Sequence, residues 1–154
     1  MNDGVKIKGR ATLVLKDGFG NIKQVETAEN LMVSAGLCFI AESLLNTSTT
    51  YVMSGMGVGT GTTGPADADV NLETSAAYVA LDSATRLNKV ITYVATFGPG
   101  VATDALTEAV ICCAASAYGD KPVGTVLNRL TYAVINKAAA DTLEITWTAT
   151  FADA

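Results

Sequence analysis

The chain contains no histidine in 154 residues. Without an imidazole the usual general base is missing, so Ser-His-Asp and Cys-His arrangements for nucleophilic catalysis are excluded. Aromatic residues make up 6% and charged residues 16% of the sequence, the latter below the roughly 25% of an average domain. The three cysteines are an odd number, and two of them, Cys112 and Cys113, are adjacent. No disulfide framework follows from that, and all three are expected to be small buried hydrophobes in a reducing compartment. No stretch comes near the run of about 20 apolar residues that spans a bilayer, and the opening MNDGVKIKGR has no signal-peptide pattern. A soluble chain with no membrane partner is expected.

What is present is apolar but small: 49% hydrophobic residues, mostly alanine, valine and leucine. A surface so thinly charged is poorly solvated unless part of it is hidden against neighbouring copies, which predicts a homo-oligomer, a dimer or a trimer. The net charge is −5, and the ten basic residues are scattered. Nucleic-acid binding needs a clustered basic face that releases counterions from phosphate, so it is not expected. Lys6, Lys8 and Arg10 do share one face of an extended strand. They read as a charged edge strand protected from unwanted pairing, with a binding patch as the alternative.

The pattern along the chain predicts one domain over residues 1–154. Alternation through residues 5–15, a turn at Asp17-Gly18-Phe19-Gly20-Asn21 and a return through Ile22 and Val25 predict a hairpin over 5–27. Leu31, Ser34, Leu37, Cys38, Ala41, Leu44 and Leu45 recur at threes and fours and predict a helix over about 31–45, capped by Ser34 or Asn30. Strands are predicted over 51–58, 78–81, 87–97, 105–112, 125–136 and 142–151. The last is the clearest: Leu143, Ile145, Trp147, Ala149 and Phe151 point inward, and Glu144, Thr146, Thr148 and Thr150 point outward. About eight strands of irregular spacing with a single helix fit an all-β, jelly-roll-like β-sandwich.

The densest feature is the stretch 53–72, MSGMGVGTGTTGPADADVNL. Its glycines invite a nucleotide reading, but no helix or lysine follows where a phosphate cradle needs one. They are better explained by a strand that bends or lets another backbone lie close. The loop over 59–71 is long for a compact domain and has little to bury alone, so a neighbouring subunit or another partner protein is expected to order it. Asp67 and Asp69, with Glu73 behind them, offer oxygen ligands for a hard cation, yet the spacing is no EF-hand. No metal or cofactor is expected. Glu108, flanked by apolar residues, is expected to pair with Arg86 or Arg129 rather than to catalyse. Trp147 falls on the inward face and reads as core, which with few other aromatics argues against a sugar-stacking platform.

The order Gly57-Val58-Gly59-Thr60-Gly61-Thr62-Thr63, Pro65-Ala66, Arg86, Asn88, Val90, Tyr93, Ala95-Thr96-Phe97, Glu108-Ala109 and Ile111 resembles structural proteins of tailed bacteriophage particles. Asn128-Arg129, Ala133-Val134-Ile135-Asn136-Lys137, Asp141-Thr142-Leu143 and Ile145-Thr146-Trp147 extend it, so that it covers residues 30–151. It is most similar to capsid cement, or decoration, proteins, with tail-fibre or baseplate components as the alternative. The resemblance implies a non-enzymatic virion protein on the capsid surface, made in the host cytoplasm. Its partners would be itself and the major capsid protein, and it would stabilise the assembled head. On this reading the interface candidates are Lys6, Lys8, Arg10, Thr60, Thr62, Thr63, Pro65, Asp67, Asp69 and Tyr118.

Overall fold

Alternating apolar and small polar residues, with few helix-favouring charged side chains, make strand the main secondary structure among the described residues. The computed structural model describes residues 4–45, 52–113 and 126–153. Among these residues ten strands and one helix run in the order β1 (Val5–Lys16), β2 (Ile22–Glu29), β3 (Leu31–Met32), α1 (Ser34–Leu45), β4 (Gly55–Gly59), β5 (Ser75–Ala80), β6 (Ser83–Leu87), β7 (Val90–Phe97), β8 (Ala105–Cys112), β9 (Val126–Asn136) and β10 (Thr142–Asp153). They form two antiparallel five-stranded sheets, ordered β2-β1-β10-β7-β6 and β3-β9-β8-β4-β5. Each sheet turns one face to the other, and the inner faces interdigitate as in a sandwich. Leu13, Leu15, Phe97, Ile145 and Trp147 from the first sheet meet Met56, Val58, Leu106, Ile111 and Leu130 from the second.

The last strand sits where its sequence places it. Leu143, Ile145 and Trp147 are fully buried, and β10 lies between β1 and β7, paired with both over most of its length. Pairs β1–β2, β4–β5, β6–β7 and β8–β9 stay within one sheet. This strand order does not establish the jelly-roll connectivity expected of it, because a jelly roll winds its strands between two sheets as Greek keys.

Several elements differ from expectation. The strand predicted over 87–97 is β7, which begins at Val90; Leu87 instead ends β6, and the two strands pair as a hairpin. Asn88, at φ 52°, makes that turn; asparagine tolerates the left-handed region better than most residues. The strand predicted from residue 51 begins at Gly55, and the short strand predicted at 78–81 is the longer β5. Leu31 and Met32 form the short β3 on β9 rather than the first helical turn. Neither proposed cap is used: the Asn30 side chain accepts the Trp147 Nε1–H at 2.9 Å, and Val33 O accepts the N–H groups of Gly36 and Leu37 at the helix start. Tyr51, Tyr118 and Thr125 lie outside the described residues.

Candidate functional site

The loop between β4 and β5 is built around a buried charge pair on the outer face of the second sheet. Alternation puts Met56 and Val58 into the core, which leaves Gly55, Gly57 and Gly59 on that outer face. A Cβ at Gly57 would strike the Tyr78 ring, and one at Gly59 would strike the Thr74 carbonyl and the Glu108 carboxylate. The glycine stripe is therefore space that the returning loop fills. Leu72 packs down beside it with Val33, Val110, Cys112 and Val126 in a second small core.

Glu108 on β8 is completely buried and Arg129 on β9 is 2% exposed. The Glu108 carboxylate accepts the backbone N–H groups of Gly61, Glu73 and Thr74 at 2.9, 2.9 and 2.8 Å. Arg129 Nε donates to Glu108 Oε2 at 2.9 Å and Nη2 lies 2.9 Å from the same oxygen. Nη1 donates to Asp69 Oδ2 at 2.9 Å and Nη2 to the Thr63 carbonyl at 3.0 Å. The Gly64 carbonyl stands 3.5 Å from Nη1. Every edge of the guanidinium thus faces an acceptor. Burial works against its charge, but the hydrogen bonds and negative charge of Asp69 and Glu108 outweigh that and raise its pKa. Glu73 closes the outside of the network: its carboxylate accepts the Thr63 N–H and Oγ1–H at 2.9 and 2.8 Å. Those hydrogen bonds, with the nearby Arg129 charge, hold its pKa below the usual value.

This arrangement fastens a loop. With Glu108 and Arg129 saturated by internal partners, neither presents a free atom to a substrate. The loop expected to be ordered by a neighbouring subunit carries its own anchor, since Arg129 and Glu108 supply the interactions its small residues cannot. Of the two partners expected for Glu108, the fold selects Arg129, because both lie on the outer face of neighbouring strands whereas Arg86 lies in the other sheet. Asp69 is held by Arg129 and by the Ala66 N–H, while Asp67 is exposed and gives its backbone carbonyl to Ser34 N–H. The two aspartates do not converge, and among the described residues no group of three metal-ligating side chains forms. Thr62 and Thr63 are exposed, and Thr60 and Pro65 are half-buried.

The helix differs most from its sequence reading. Its packed side is Val33, Gly36, Phe39 and Ile40, while Ser34, Leu37, Cys38, Ala41 and Leu44, the repeat taken to face the core, are exposed. Leu37 is 52% and Leu44 83% exposed. Glu42 is its only charged residue, so apolar side chains occupy both sides, and the neighbouring β9 and loop decide which side is covered. Cys38 is accordingly exposed, against the expectation for it, whereas Cys112 and Cys113 are buried. Beside the helix a groove of about 250 Å³ opens between the sheets, lined chiefly by Phe39, Ile40, Leu44, Met53, Ile91 and Phe151.

Lys6, Lys8 and Arg10 are exposed along β1, opposite Ala152, Thr150 and Thr148 of β10. Arg10 is in the interior of the sheet, between β10 and β2, but β2 pairs β1 only from Arg10 onward. The charged-edge reading therefore applies to residues 5–9 alone. Two polar residues take roles that the sequence did not predict. One is Asn30, which tethers Trp147; the other is Asn128, fully buried with neither amide atom hydrogen-bonded. Comparison with family models, with curated proteins and with solved structures gives no match for this chain.

Proposed function

We propose that this chain is a structural subunit of a tailed-bacteriophage particle, a capsid cement protein that binds as a homo-oligomer over junctions of the major capsid protein. The resemblance of residues 30–151 to such proteins supplies the particle. The outward helix face carries the assembly reading: Leu37, Cys38, Ala41 and Leu44 expose apolar surface beside an apolar groove. Ser34, Leu37, Ala41 and Leu44 are spaced three, four and three residues apart, as along a coiled-coil seam, and a second copy presents the same seam. Burying two leucines per subunit contributes about 1.5–3 kcal/mol each. Oligomers that bind only the assembled shell stabilise it by mass action, by about 2.7 kcal/mol at a hundredfold excess over Kd.

Light scattering on the purified chain tests the first step, with a dimer or trimer expected for the wild type and a monomer for Leu37→Glu/Leu44→Lys. Addition to capsids that lack the protein tests the second. Binding with an increase in the temperature at which the shells open is the expected result. A wild-type monomer that ignores such capsids but adheres to host cells would replace this reading with the tail-fibre one.

A further inference from the structure

The first half of β1 is a sheet edge. β10 covers Val5 to Gly9 on one side, but β2 pairs only from Arg10 onward, and the chain leaves for the second sheet at Leu31. The direction of the free groups follows from the ladder. Phe151, opposite Ile7, donates its N–H away from β1 to the Lys89 carbonyl, and Gly9 O accepts Asn30 N–H on the β2 side. In an antiparallel ladder both polar groups of a residue point the same way. Val5 and Ile7 therefore present their N–H and C=O to the open edge, where the described residues offer no strand. Beside them a groove of about 500 Å³ is lined by Lys6, Lys8, Arg10, Glu29, Thr148 and Thr150, among others.

We propose that this edge accepts an extended acidic segment of a partner protein as an added strand. Lys6, Lys8 and Arg10 stand on one face at every second residue, and no carboxylate among the described residues lies within 4 Å of any of them. A strand with acidic side chains at alternate positions places its carboxylates beside that row while its backbone pairs with Val5 and Ile7. A second copy of the chain paired about Ile7 does not fit. Antiparallel self-pairing about Ile7 sets Lys6 opposite Lys8 of the other copy, and like charges directly opposite are destabilising. The inference stands apart from the capsid reading, since it concerns the chemistry of the partner strand and not the particle that carries it.

The probe is the capped peptide Glu-Val-Glu-Val-Glu-Val-Glu, titrated against the full chain by fluorescence anisotropy at low salt. It is expected to bind, to weaken as salt rises, and to bind about tenfold more weakly to Lys6→Glu/Lys8→Glu. Ile7→Pro removes one edge-facing N–H without touching the β10 ladder, and it should weaken binding as well. The same peptide N-methylated at its valines keeps every charge but loses backbone donors, and it should not bind the wild type. Equal binding of the N-methylated peptide would overturn the proposal by showing charge attraction alone, as would a DNA oligonucleotide that binds more tightly than the peptide. No binding by the unmodified peptide would overturn it too.

Discussion

Arg129 Nε and Nη2 both reach one oxygen of Glu108, each at 2.9 Å, beneath a loop whose backbone supplies three further donors to the same carboxylate. Taking two charges out of water costs several kcal/mol each, and the attraction between them repays this only when the remaining lone pairs and protons are satisfied. Here the loop satisfies them. The pair and the loop are thus one unit: apart from Leu72, the loop has little apolar surface to hold it over β8 without the charges, and the charges cannot stay buried without the loop.

Arg129→Met should therefore destabilise the fold by about 3–5 kcal/mol, because it leaves Glu108 buried and uncompensated. Glu108→Gln in the same background should recover part of that loss. Denaturant unfolding measures both, and limited proteolysis should show cleavage within residues 60–74 in the single variant first. A single variant as stable and protease-resistant as the wild type would mean that the loop is held by other contacts.

The orphaned Asn128 leads to the opposite expectation. Its amide sits on the core side of β9 opposite Ile111, with no hydrogen-bond partner for either polar atom. Leucine has nearly the same shape and no polar group to desolvate, so Asn128→Leu should stabilise by about 1–3 kcal/mol. A rise in thermal midpoint is the check; a fall would indicate a bound water or a shape constraint at the amide.

Trp147 is the only tryptophan in the chain, fully buried and tied to Asn30. Trp147→Ala should cost about 3–5 kcal/mol, whereas Thr148→Ala, on the outward face, should cost little. Gly9→Ala should also destabilise, because its Cβ would fall on the Asn30 side chain. Displacing Asn30 exposes the indole N–H, so the emission of Trp147 should shift in that variant while the Thr148→Ala spectrum stays unchanged.

Acid and alkali should act on different groups. The Asp141 carboxyl is held below its ordinary 3.8 by the Lys23 hydrogen bond first and the Ala138 N–H next. A depressed carboxyl contributes stability above the unfolded value and loses it as pH falls through the folded one. The stability difference between wild type and Lys23→Met should then be full at about pH 6 and fade below about pH 4. Tyr78, pushed up to about 12 mainly by burial, favours the neutral phenol in the fold. Its contribution is complete below about pH 10 and disappears as pH rises further. Phenolate absorbance should accordingly lag behind that of the unfolded chain, and coincident titration curves would refute the burial of Tyr78.

The sequence by itself determined the β architecture and its inner faces. Strict alternation from Leu143 to Ala149 is realised in buried and half-buried residues, because a two-residue period leaves one choice of face once a core forms. It also pointed to a cation for Glu108 and to either a bend or a close approach at the glycines 57 and 59, of which the structure shows the close approach. Only the tertiary structure decided which cation answers Glu108, since Arg129 becomes its neighbour through strand pairing across 21 residues. The helix was decided the same way. Its apolar residues surround it, so composition could not orient it, and contact with the sheets buried Val33 and half-buried Phe39 while leaving Leu37 and Leu44 outside. The open edge of β1 was equally invisible in sequence: a strand becomes an edge through where its neighbour stops, and β2 stops at Glu29.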